Sequence, residues 1–269
     1  MKISRCWWTW AGLAVVGIAL VACMTVEETG RKQLILLSAD QEMKMGLTAF
    51  EETKKQIPQS KDAAATALVQ KVGKRIAAVA NMPNAQWEFV LFENKEPNAF
   101  CLPGGKVGIN TGILPITRDE AGLATVMSHE VAHATKRHGA ERVSRAMVRQ
   151  SGGEVATALL GGEGGKNAAL VAGVYGMGTQ LLEALPHSRT QETEADQVGL
   201  LYMARAGYDP EAAIGFWQRF AEYNRRAGNT SSGFSRYFRT HPTDEQRIKD
   251  LQLWLPRAKA EYRPAAGSP

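Results

Sequence analysis

The sequence predicts one α+β domain, mostly helical, with a small antiparallel sheet. Three observations predict it. Apolar residues recur at helical spacing in most segments beyond residue 38. The pattern switches once to period two, over residues 87–92, and a Pro103-Gly104-Gly105 turn follows soon after. With 44% hydrophobic and 22% charged residues among 269, the composition is that of an ordinary globular chain with enough apolar side chains for a core.

The first two dozen residues stand apart. Lys2 and Arg5 precede residues 7–22, which are apolar except for Thr9, and the polar stretch Glu27, Glu28, Arg31, Lys32 follows. A basic start and an apolar run shorter than the ~20 residues of a spanning helix read as a signal peptide over residues 1–22. The run closes on Leu20-Val21-Ala22-Cys23, which resembles the bacterial lipobox. That resemblance implies diacylglycerol on the Cys23 sulfur and anchoring in membrane lipid through several acyl chains. Met24 and Thr25, in place of an aspartate after the cysteine, resemble an address on the periplasmic face of the outer membrane. Residues 23–37 are then expected to be a lipidated N-terminus and linker, 38–262 the folded domain and 263–269 a disordered tail. Of three cysteines, Cys6 leaves with the leader and Cys23 is acylated, so Cys101 is the remaining thiol and no intrachain disulfide is expected. Removing Lys2 and Arg5 lowers the formal charge from +5 by two, to +3, too mild to suggest nucleic acid as a partner.

Ser38 with Gln41 forms a capping box ahead of Met43, Leu47 and Phe50 on one helical face, and Asp62 opens a second helix carrying Leu68, Val72, Ile76 and Val79. Trp87, Phe89 and Leu91 alternate with Glu88, Val90 and Phe92 in a strand. Residues 99–102, the Pro-Gly-Gly turn and residues 106–109 make a hairpin, with Gly108 read as a weak point that an edge strand tolerates. Thr117 and Glu120 cap the next helix, which runs to Gly139. Six glycines between residues 151 and 165 suggest a mobile flank or lid. Thr190 precedes a helix ending at Gly207. Asp209-Pro210 starts another that runs toward Gly228, and Thr243 with Gln246 caps a last one with Ile248, Leu251 and Leu255 on one face.

The helix after Thr117 carries His129-Glu130-Val131-Ala132-His133. Two histidines four apart return to within about 40° on a helix, so both imidazoles can share one metal, while Glu130 lies to the side as a general base. A zinc ion there, one per chain, would polarise a water that Glu130 deprotonates for attack on a peptide carbonyl. Such a site needs a third ligand. Lys136 and Gly139 stand where the longer pattern with a third histidine would need a glycine and that histidine, so a carboxylate from a second helix is expected. Glu192 and Asp196, four apart, share a face. Glu192 is the favoured third ligand, with Glu194 and Glu183 as alternatives. Asp196 is placed to accept the free N–H of a ligating histidine. Glu194, rotated by about 200° from Glu192, reads as a solvated surface charge.

These segments, with Asn98-Ala99-Phe100, Ala206-Gly207-Tyr208-Asp209-Pro210 and Thr240-His241-Pro242 followed by Arg247, make the chain similar to peptidase family M forty-eight. This is the family of the CAAX prenyl proteases, the HtpX-like membrane proteases and the periplasmic metalloproteases resembling BepA and LoiP. The resemblance covers most of the mature chain and implies a zincin-like domain of the gluzincin type. It implies zinc on His129, His133 and Glu192, Glu130 as base and Asp196 in support. It also implies a late active-site pair, with Arg247 near the developing oxyanion and His241 near the metal; in some periplasmic relatives that histidine holds the fourth position and keeps the enzyme latent. Read from the residues alone, His241 before a proline is a turn residue. The strand after Pro103, with Asn98, Gly104, Gly105, Lys106 and Val107, is implied as the edge on which an extended substrate pairs. The expected activity is endopeptidase cleavage of unfolded or misassembled cell-envelope proteins. The competing expectation is a latent zinc-binding lipoprotein that works as an envelope chaperone or assembly factor. His187 stands where relatives often carry an aromatic residue, and Cys101 is a small core residue or a redox-sensitive thiol near the metal.

Overall fold

Ser38 is extended, and its hydroxyl accepts from the Gln41 amide while the Gln41 side chain accepts from the Ser38 amide. This capping box starts helix α1, Ala39–Gln56, in the computed structural model, which describes residues 23–151, 187–228, 241 and 245–264. The leader, most of the glycine-rich stretch, Glu183, the Thr243 cap and the end of the tail lie outside the described residues. Asp62 caps α2, Ala63–Ala77, as its sequence predicts. The later helices are α3, Leu114–Thr117; α4, Glu120–Thr135; α5, His138–Ser151; α6, Arg189–Arg205; α7, Ala212–Gly228; and α8, Glu245–Glu261.

Two helix starts differ from expectation. Thr117 belongs to α3, whose end is marked by Arg118 at φ +66°, and Asp119 is the residue whose carboxylate accepts from the Gly122 amide to begin α4. Ser188, not Thr190, caps α6, again with a reciprocal Gln191 partner. Asp119 and Ser188 each accept from a first-turn amide, of Gly122 and Gln191, and so set these helix starts two residues away from the threonines.

Residues 23–37 are not a free linker. Strands β1, Cys23–Thr25, and β2, Lys32–Leu34, pair antiparallel, and Val26, Ile35 and Leu37 are buried. An apolar residue at every one of those positions gives the segment a face to bury, which outweighs its short length.

Strands β3, Glu88–Phe92, β4, Ala99–Leu102, and β5, Lys106–Asn110, form a sheet in the order β3-β5-β4. β4 and β5 make the expected hairpin, turned by Gly104 and Gly105 at φ +84° and +82°. β3 pairs with the other side of β5 in parallel, so the sheet is mixed rather than antiparallel. The reason is topological: β4 runs back and then lies outside β5, leaving β3 and β5 pointing the same way. β5 is therefore the central strand, and among the described residues no strand pairs with the outer edge of β4. Gly108 is a packing requirement, not an edge weakness, since a Cβ there would stand 2.3 Å from the Phe100 ring.

The core is organised around α4, buried at every position from Gly122 to His133. α6 packs along it, α2 and β4 flank it, and α7 closes the far side. Gly199 permits the close approach of α6, since a Cβ would lie 3.2 Å from the His129 amide nitrogen. Trp217, Phe216 and Phe220 of α7 fill the core beneath. Gly108→Ala is expected to lower stability by about 1–3 kcal/mol through overpacking. Thermal melts check this, and the added substitution Phe100→Leu should recover part of the loss.

Candidate metal centre

α4 places His129 and His133 one turn apart with their Nε2 atoms 3.0 Å from each other. α6 brings in Glu192, whose Oε1 lies 3.2 Å from His133 Nε2 and whose Oε2 lies 3.5 Å from His129 Nε2. His241 completes the group, with Nδ1 3.2 Å from His129 Nε2 and 3.0 Å from Glu192 Oε1. All four are buried, and their donor atoms lie within 4.8 Å of one another. Ligands about 2.0–2.1 Å from a tetrahedral centre stand about 3.3–3.4 Å apart, so the donor set fits a divalent ion of zinc size. Glu130 Oε1 is 3.7 Å from His241 Nε2 and faces a cavity lined also by Ala99, Cys101, His133 and His187.

Burial and mutual contact strongly perturb the ionisation of these groups. Burial pushes His133 well below the ordinary imidazole value, although Glu192 pulls against it. Burial alone would raise Glu192, yet His241, His129 and His133 around it hold it well below the usual carboxylate range. Burial also pulls His129 down, and its bonds to Asp196 and Glu192 outweigh this and bring it up to about 9. A divalent ion bound here would take the place of the proton that these contacts favour on His129.

Asp196 sits as expected, its Oδ1 2.9 Å from His129 Nδ1. Arg247 reaches both Asp196 oxygens at 2.7 Å, lies 3.1 Å from Glu192 Oε2, and stacks 3.4 Å over the Trp217 ring. It is not among the residues lining the cavity beside Glu130. The geometry makes it a clamp on the carboxylates of α6.

Two expectations are corrected. Lys106 and Val107 lie on β5, whose two edges are both paired, so that strand cannot accept another; Asn98 and β4 line the cavity instead. Gly104 and Gly105 form the turn between these strands. Glu194 is not a solvated charge: it is 2% exposed and binds His138, Arg31 and Thr29. The face opposite Glu192 is not solvated, because α6 is covered almost all round and this side meets α5 and the N-terminal hairpin.

His138 and His187 are neighbours of the centre that no motif marks. The His187 ring lies 3.8 Å from that of His133 and 5.0 Å from that of His241. Every histidine of the chain therefore belongs to this cluster, a signal available from a count of five. Cys101 is half-buried, and burial pushes its thiol far above the ordinary value, which keeps it protonated.

Residues 63–255 match the model of Peptidase family M48. The chain belongs to this family. Its relatives include the mitochondrial metalloendopeptidase OMA1 of Schizosaccharomyces pombe, 38% identical over 73% of this chain and 55% of that protein. The beta-barrel assembly-enhancing protease of Yersinia pestis is 31% identical over 80% of this chain and 44% of its own length, and that of Escherichia coli 29% over 85% and 46%. The chain spans about half the length of the curated relatives it matches. In this M48 chain no helix among the described residues is long and apolar enough to cross a membrane.

Arg31 ties the hairpin to this M48 core, bonding Glu194 and the fully buried Glu141. Arg31→Ala leaves both carboxylates without it and is expected to cost about 2–4 kcal/mol, measured by denaturant unfolding.

Proposed function

We propose that the chain is a zinc-dependent endopeptidase that rests closed, with His241 over the metal position. The observation that carries this reading is the convergence of His129, His133 and Glu192 with Glu130 beside them, lining a cavity that β4 also lines. His129, His133 and Glu192 would hold the zinc ion. When bound it supplies Lewis-acid polarisation of a scissile carbonyl and of the attacking water. Glu130 takes the proton from that water and returns it to the leaving amine. Asp196 and Arg247 hold His129 and Glu192 in place while this happens. The edge of β4 takes up an extended chain through main-chain hydrogen bonds, which selects unfolded backbone over particular side chains.

His241 Nδ1 lies 3.2 Å from His129 Nε2 and 3.0 Å from Glu192 Oε1, spacings like those among the other donors, and would take the fourth position of the set. Catalysis then needs His241 to swing aside and admit water. This favours a protease regulated by opening over a pure chaperone, because Glu130 beside the metal serves no binding role.

The beta-barrel assembly-enhancing relatives and the Leu20-Val21-Ala22-Cys23 sequence support a cell-envelope setting, with unfolded or misassembled envelope proteins as substrates. Cys23 is exposed at the start of β1, which suits a lipid anchor there. Glu130→Gln is expected to keep zinc and the fold while cutting cleavage of an unfolded substrate such as casein by at least about 10²-fold. His241→Ala is expected to keep zinc and raise basal cleavage. Retained cleavage in the first variant contradicts the base assignment, and lower cleavage in the second contradicts the closed resting state.

A further inference from the structure

His133 has a second nitrogen that the metal reading does not use. Its Nδ1 lies 2.8 Å from His138 Nδ1, and His138 Nε2 lies 2.8 Å from Glu194 Oε2. Glu194 in turn accepts from Arg31 Nε at 2.9 Å and Nη2 at 2.7 Å, and from the Thr29 hydroxyl. Arg31 Nη1 stands 2.9 Å from both oxygens of Glu141. His138 and Glu141 are completely buried and Glu194 is 2% exposed.

If His133 presents the Nε2 lone pair to a metal, its proton sits on Nδ1 and is donated to His138 Nδ1. His138 must then carry its own proton on Nε2 and donate it to Glu194. One assignment of protons satisfies every member, and it mirrors the other ligand, where His129 Nδ1 donates to Asp196 and Arg247 holds that carboxylate. A second metal on His133, His138 and His187 fits less well, because 2.8 Å is hydrogen-bond distance and shorter than the ~3.3 Å between two ligands of one ion.

We propose that His138 and Glu194 are positioning residues for the ligand His133, and that Thr29 and Arg31 of the N-terminal hairpin lock the outer end of this chain of bonds. The proposal rests on the metal reading above. Its added content is that the metal centre extends through His138 to the segment directly following Cys23, so the anchored end of the chain is a structural part of the site. Partners that orient a ligating histidine fix its tautomer and direction, and their loss commonly weakens metal binding about 10–100-fold.

The test is zinc affinity of the full chain, by competition with a chromophoric chelator, alongside thermal melts of the metal-free protein. His138→Ala is expected to bind zinc about 10–100-fold more weakly than wild type. His138→Asn, whose side-chain oxygen can still accept from His133 Nδ1, is expected to recover most of that loss. Unchanged affinity in His138→Ala overturns the proposal. So do equal losses in the Ala and Asn variants that merely follow a fall in metal-free melting temperature, since that is a packing role. Should His138→Ala not fold, Glu194→Gln supplies the reading: a several-fold loss supports the proposal and unchanged affinity overturns it. A wild-type chain that takes up no zinc contradicts the metal reading itself, a result separate from the others.

Discussion

The structure depends on one contact, the packing of α6 along α4 with Gly199 against the backbone of His129. It sets two imidazole nitrogens and a carboxylate within about 3.5 Å in a buried place where water cannot screen them. Helix packing alone would not hold such groups together, because burying them costs their hydration. Each is therefore fixed from behind: His129 by Asp196, His133 by His138, and the α6 carboxylates by Arg247 and Arg31. The convergence is preorganised, and the cation it requires completes it.

Two arginines from distant parts of the chain hold α6's acidic run, Arg247 on Glu192 and Asp196, and Arg31 on Glu194 between them. Arg247 comes from α8 and lies over Trp217 of α7, so the apolar core beneath the site and the charges within it share one side chain. Arg31 comes from the N-terminal hairpin and bridges α6 to Glu141 of α5. Buried ion pairs of this kind contribute less to net stability than to a single geometry, which is what a ligand set needs.

Much of this was legible in the sequence. The spacing of His129 and His133 gives their shared face from helix geometry, and Glu192 and Asp196 repeat the argument on a second helix. The Ser38–Gln41 capping box gives the start of α1 to the residue. What stayed hidden was long-range. Periodicity does not show that α6 is covered almost all round, so on pattern alone Glu194 reads as a surface charge. A hairpin signal could not show which edge of β5 would take β3, so the free edge was assigned to the wrong strand. His138 lies five residues from His133 on the next helix, and no local rule relates two helices across the Lys136–Arg137 turn, where Arg137 adopts φ +55°.

The central claim is that His129, His133 and Glu192 converge on one zinc ion. The most direct measurement is zinc stoichiometry and affinity of the purified chain, with and without Glu192→Ala. The account predicts one zinc per chain and near-complete loss of tight binding in the variant. Protein that takes up no zinc, or binds it equally well without the Glu192 carboxylate, would contradict it.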